Sequence, residues 1–256
     1  MSRALPPLDL HAHVAIDVAP RSLEELGAVV FAVTRSLDEY EKSQNRSDAV
    51  TVWGLGCHPG LASAQDGYDQ SQFGRLIEKA AFIGEIGLDG SSKVPIQQQE
   101  AVLASVFAFA AANPRMTSVH SFRATTRVLD LLEPAGVRGA ILHWWLGSEG
   151  ETKRAVELGC LFSVNSSMDI ARLKTAGVPL SSLLPETDHP SGNRRGDLPR
   201  QPGHTLEVER AVGRVFEVNE AEVRVQFWRT FAKQVYATGT AALFPPVVQA
   251  MLAHAQ

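Results

Sequence analysis

The chain has 256 residues, 45% of them hydrophobic and 20% charged, with 24 Lys and Arg against 28 Asp and Glu and a formal net charge of −4. This composition fits a globular chain able to bury a large core and predicts one compact unit over residues 1–256. It excludes broad electrostatic adhesion to nucleic acid or anionic membrane, so any phosphate-binding surface must be local.

In chain order, eight apolar, β-rich runs alternate with stretches of helical period. They cover residues 8–13, 29–33, 50–56, 81–88, 116–120, 139–144, 160–165 and 183–188. Such alternation produces parallel strands covered by helices, and eight units in this length predict a closed (β/α)8 barrel of the TIM type. Helices are expected over 95–113, with Pro95 in the first turn and Asn113-Pro114 as the stop, and over 124–135, ended by Gly136. A Pro-, Gly- and Arg-rich loop covers 190–204. Helical sequence then runs from about Leu206, with Asn219 and Glu222 spaced as a capping box. Cys57 and Cys160 lie in apolar stretches and read as buried thiols rather than a disulfide framework. No long apolar stretch follows Arg3 and no window reaches spanning length. The expectation is a cytoplasmic protein without membrane contact.

Five runs end in a metal-binding side chain: His11 and His13 on the first, Glu85 on the fourth, His120 on the fifth, His143 on the sixth and Asp188 on the eighth. Imidazole and carboxylate suit Zn, Mn, Fe or Ni without thiolate, and the set suffices for two metals sharing a carboxylate. In a barrel, catalytic groups sit at the C-terminal strand ends, so these residues are expected on one rim. Asp9 and Glu186 are candidates to orient the ligating histidines through their second ring nitrogens, or are structural rim acids. His58 points to the same rim, as a candidate contact for phosphate or leaving group or as a capped-loop histidine. His189, His204 and His254 are not assigned to a metal.

The segments Asp9-Leu10-His11-Ala12-His13, Gly56-Cys57-His58-Pro59, Gly84-Glu85-Ile86-Gly87-Leu88-Asp89, Gln97-Gln98-Gln99, Val119-His120-Ser121, His143-Trp144 and Glu186-Thr187-Asp188-His189-Pro190 resemble, in order, those of the TatD-type metal-dependent deoxyribonucleases of the amidohydrolase-like barrel superfamily. The resemblance implies His11, His13, Glu85 and Asp188 around one divalent ion (Zn, Mn or Mg) and Glu85, His120 and His143 around a second, with Glu85 bridging. Within the family the chain looks most like the TatD-like component of Qat anti-phage systems, through Gly87-Leu88-Asp89-Gly90-Ser91, Leu142-His143-Trp144 and residues 159–164. The family resemblance implies DNA, as single strands or 3′ ends, and the Qat likeness implies other defence-system proteins as partners. Phe122, Trp144-Trp145-Leu146-Gly147 and Pro185 depart from the family pattern, so a different substrate pocket is expected.

Arg194 and Arg195, with Arg200, stand in the loop after the eighth run, opposed only by Asp197. They read as a phosphate clamp or as a solvated loop. Arg123 is a second phosphate candidate, and Trp144 or Trp145 a stacking platform for a base, one of the two being core by strand alternation. The expected chemistry is phosphodiester hydrolysis by a metal-activated water, with Glu85 and Asp188 catalytic and Asp188 also accepting a proton. A small-molecule amide, lactone or phosphate-ester hydrolase and a metal-bearing binding component are the alternatives.

Overall fold

The computed structural model describes residues 5–192 and 200–255. Each of the eight expected runs forms a strand: β1 (Leu8–Ala12), β2 (Val29–Val33), β3 (Thr51–Gly54), β4 (Phe82–Gly87), β5 (Met116–His120), β6 (Ala140–His143), β7 (Leu161–Val164) and β8 (Leu183–Pro185). Pairing is parallel throughout, between strands consecutive in the chain. Every strand residue is buried except His120 at the end of β5. Strands covered on both faces leave no polar side, which is why the runs read as continuous apolar stretches rather than alternating ones.

The strands form an α/β fold of parallel sheets, but not one continuous ladder. β1 to β3 form one sheet and β4 to β8 another. Single bridges, Leu55 to Ile83 and Ala12 to His189, join them at the two seams. This departs from the expected closed barrel for local reasons. At the first seam Thr34, just past β2, takes up the backbone groups: its N–H lies 3.2 Å from both Gly54 O and Gly84 O, and its carbonyl accepts from Glu85 N at 3.1 Å. The register of β4 also slips between Ile83 and Ile86. At the second seam β8 ends at Pro185, which has no N–H to give.

The helices follow their sequence signals closely. Ile96–Ala112 begins after Pro95, and Thr125–Ala135 ends on Gly136 at φ +62°, a left-handed cap that glycine adopts without penalty. The expected C-terminal helical stretch divides into Leu206–Phe216, Glu220–Thr238 and Pro246–His254, and the Asn219–Glu222 capping box forms. Helix Glu220–Thr238 sets Phe231 edge-on to Phe31 of β2, with ring centroids 5.4 Å apart, while Trp228 Nε1 donates to Pro6 O just before β1. Among the described residues no helix is long and apolar enough to cross a membrane. Cys57 and Cys160 are free thiols, both buried.

Candidate metal centre

The chain leaves each strand end with one or two polar side chains turned inward, and six of them converge. Glu85, 1% exposed, is the hub. Its Oε2 lies 3.7 Å from His11 Nε2 and 3.2 Å from His13 Nε2. Its Oε1 lies 2.7 Å from His120 Nδ1 and 3.6 Å from His143 Nε2. Asp188 Oδ1 stands 3.8 Å from His11 Nε2 and 4.0 Å from His13 Nε2. Three overlapping triads have ligand atoms within 4.8 Å of one another: His11, His13 and Glu85; Glu85, His120 and His143; and His11, His143 and Asp188. Asp188 thus lies near both histidines of the first expected set and also groups with His143 of the second.

Several of these atoms are buried and have no hydrogen-bond partner, among them His11 Nε2, Glu85 Oε2 and His120 Nδ1. Buried polar atoms are normally paired, because leaving one unmade costs about 1–3 kcal/mol. Orphans converging from three strands, β1, β4 and β5, fit a cation, and the imidazole and carboxylate set suits one or two divalent ions.

Neighbouring side chains aim the rings. His11 Nδ1 meets Ser118 Oγ at 2.8 Å, and His143 Nδ1 meets Glu186 Oε2 at 3.0 Å, so each ring turns Nε2 into the cluster. The two rings stack with centroids 3.8 Å apart. Glu186 is itself held by Asn165 Nδ2 at 3.0 Å and by Ser163 Oγ. Of the two acids expected to orient histidines, Glu186 does so and Asp9 does not. Asp9 instead accepts from Thr187 N, Thr187 Oγ1 and Gly203 N, tying β1 to the chain after β8. Ser118, Ser163 and Asn165 were not foreseen. Their signal is a polar residue inside an apolar strand run, two positions from a ligand in the case of Ser118 and His120.

Electrostatics follow from burial and these partners. Burial drives His11 down to about 3, helped by the neighbouring His143. Burial also disfavours a charged His143, but the Glu186 carboxylate outweighs it and holds that ring up at about 10. Burial raises Asp188 to about 6. Glu85, although buried, is held well below the usual carboxylate range by His58, His11, His120 and His13.

The cluster forms the floor of a cavity of about 250 Å³ whose lining includes His13, His58, Glu85, His120, His143 and Asp188. Its other side is apolar: Phe122, Trp144 and Leu146. Non-glycine residues with left-handed backbone stand within three residues of the ends of β5, β6 and β8, Arg123 at φ +53°, Trp144 at +40° and Asp188 at +43°. Such conformations gather at functional sites because surrounding structure must hold them in place.

A family model described as TatD related DNase matches residues 8–236. The chain belongs to the TatD related DNase family. A 3′-5′ ssDNA/RNA exonuclease TatD of Klebsiella pneumoniae (strain 342) is 32% identical over 118 residues, which is 42% of this chain and 44% of that protein. The match thus spans less than half the length of that relative. Among solved structures, the TatD homologue YJJV of Escherichia coli K12 superposes with a TM-score of 0.74 at 21% identity, over 89% of this chain and 96% of that one. A TatD family hydrolase of Entamoeba histolytica gives 0.69 at 16% identity, covering 91% and 99%. Both support the fold alone.

Within this TatD family frame the remaining expected residues separate. His58 lies beside the cluster, Nε2 3.3 Å from Glu85 Oε2, while its Nδ1 accepts from Gly60 N at 2.9 Å. A neutral ring accepting at Nδ1 carries its proton on Nε2, so His58 presents a donor to the cavity. Trp144 lines the cavity, whereas Trp145 is core, 2% exposed, with Nε1 donating to Thr152 Oγ1 at 2.9 Å. Arg123 is not among the lining residues. Its guanidinium stands 5.4 Å over the Phe122 ring at the rim. Arg194 and Arg195 lie outside the described residues.

Proposed function

We propose that the protein is a metal-dependent hydrolase of the TatD type acting on nucleic acid phosphodiester bonds. One observation carries the reading: a single buried carboxylate, Glu85, directs one oxygen at His11 and His13 and the other at His120 and His143. That is the arrangement a bridging ligand between two cations requires. His11, His13, Glu85 and Asp188 would hold one ion and Glu85, His120 and His143 the other. Bound there, divalent ions would polarise a phosphoryl oxygen and lower the pKa of a water. The chain's own groups do the rest. Asp188 holds a carboxylate at the cavity floor to take a proton from the attacking water, and His58 donates from Nε2 to a phosphate or leaving oxygen. The exonuclease name of the Klebsiella relative favours a single-stranded substrate, DNA or RNA. A part in anti-phage defence alongside other proteins rests on the sequence resemblance alone.

The cavity's small volume and apolar side favour a second reading, a hydrolase of small esters or lactones. One comparison separates the two. Metal-stripped protein is given Mn, Mg or Zn and offered single-stranded and double-stranded oligonucleotides and nitrophenyl phosphate, with Glu85→Ala as the control for contaminating nuclease. A nuclease favours the oligomer in kcat/KM, because contacts remote from the scissile bond contribute to turnover. An oligomer left intact under every metal, with a small ester consumed, would make the second reading the right one.

A further inference from the structure

The metal cluster occupies only one side of its cavity. Phe122, just after β5, and Trp144 and Leu146, just after β6, make up the other, and Phe122 and Leu146 are 38% and 51% exposed. Large apolar side chains left open to water beside a charged cluster call for a ligand that is polar at one end and flat and apolar at the other. Among the described residues none of these three side chains belongs to the core or is packed against it. Trp145, between Trp144 and Leu146 in sequence, is the residue turned into the core, and the left-handed backbone at Trp144 accompanies this divergence of neighbouring side chains. The Arg123 guanidinium over the Phe122 ring adds a positive charge at the wall's outer edge.

We propose that Phe122, Trp144 and Leu146 form a subsite for one nucleobase, the base of the nucleotide whose phosphate lies at the metal cluster. This rests on the nucleic acid reading above and goes further, since it assigns recognition to the base rather than to the phosphate backbone alone. The chemistry fits on three counts. An aromatic ring accepts any base by stacking, without needing hydrogen-bond donors or acceptors, and Phe122 and Leu146 offer none. The cavity, at about 250 Å³, falls below the usual range for a drug-sized ligand, which suits one unstacked nucleotide and not a paired duplex. Arg123 at the rim is placed to meet the next phosphate outward. A base taken in this way must leave its stack, so single-stranded ends are selected over duplex interiors by the cost of unstacking.

The test compares two single-stranded oligonucleotides, alike except that the nucleotide flanking the cleaved bond carries a base in one and a tetrahydrofuran abasic unit in the other. The Mn-loaded protein should cleave the first with a kcat/KM at least about five-fold higher, the lower end of what stacking of one base contributes. Phe122→Ala combined with Leu146→Ala should bring that ratio close to one. Trp144→Phe, which keeps an aromatic ring, should retain most of it. Fluorescence anisotropy of the same fluorescein-labelled strands in EDTA gives a readout without turnover, and the intact strand should bind more tightly there by a similar factor. Equal cleavage and equal binding of the two strands by the unaltered protein would overturn the base subsite while leaving the nuclease reading in place. No cleavage of either strand, with a small ester turned over, would overturn both.

Discussion

Among the described residues the Glu85 carboxylate faces only histidines, and removing it leaves five imidazoles around a buried gap. Glu85→Ala should therefore lose bound metal and at least about a hundred-fold in activity while remaining folded, which metal analysis, turnover and circular dichroism on one preparation would establish. Retention of full activity would end the bridging proposal. Glu186→Gln is subtler. It leaves every ligand in place but weakens the hold on His143 Nδ1, and loss of such orienting partners typically costs about 10- to 100-fold in metal affinity or activity. The same pair sets a pH dependence. Because Glu186 holds His143 up at about 10, that ring carries a proton at neutral pH in the metal-free protein, and an ion must displace it. His120, disfavoured as a cation by burial but held up at about 9 by Asp89 and Glu85, carries a second such proton. Affinity should therefore rise with pH, by up to about a hundred-fold per unit for two displaced protons, between pH 6 and pH 9. His11, at about 3, is already neutral there and adds no slope. Competition with a chelator at three pH values measures this, and a flat profile would contradict it. The ligands themselves were legible in the sequence because each closes an apolar run. Ser118, Ser163 and Asn165 were not, since what identifies them is a neighbour on another strand, and strand pairing is invisible in a linear sequence.

At the level of single elements, the strand ends are tuned by backbone approach as much as by side chains. Gly87, the last residue of β4, adopts φ +140°, and a Cβ there would lie 2.0 Å from His120 O. Gly87→Ala must push β5 away or strain β4. A loss of about 1–3 kcal/mol is expected, together with a displaced His120. Denaturant melts and metal content should thus fall together in this variant, whereas Gly136→Ala, with open space around it, should show strain without loss of metal. All eight strands and three helices with marked ends were readable from local signals: buried runs, Pro95, Gly136, the Asn219–Glu222 box. The runs nevertheless overreach the strands, as in 183–188 against Leu183–Pro185. The surplus residues look strand-like because they are buried and their backbone still bonds to neighbouring strands, Glu186 N to Val164 O and Asp188 N to His11 O, which positions Glu186 and Asp188.

Across the whole molecule, burial predicts chemical silence for both thiols. Cys57 and Cys160 are pushed up to about 12 by desolvation, so a thiol reagent such as DTNB at pH 8 should label neither until the protein is unfolded. Rapid labelling of the native protein would show that the strand ends open readily. The closed barrel expected from eight β/α units was legible only in outline, because no composition or period reveals that Thr34 would take backbone bonds at the gap beside β3, or that Pro185 would cut β8 short.

Those two seams have a mechanical consequence. His11, His13 and His58 come from the three-stranded sheet, and Glu85, His120, His143 and Asp188 from the five-stranded one. An ion seated among them would act as a rivet through two plates that the backbone joins by a few hydrogen bonds along each edge. Its binding energy is then also cohesion of the molecule, since a ligand that binds only the folded form stabilises by RT ln(1 + [L]/Kd). Stripping the metal should lower the melting temperature and speed amide exchange first at Leu55 and His13, next to the seams, before the interiors of either sheet respond.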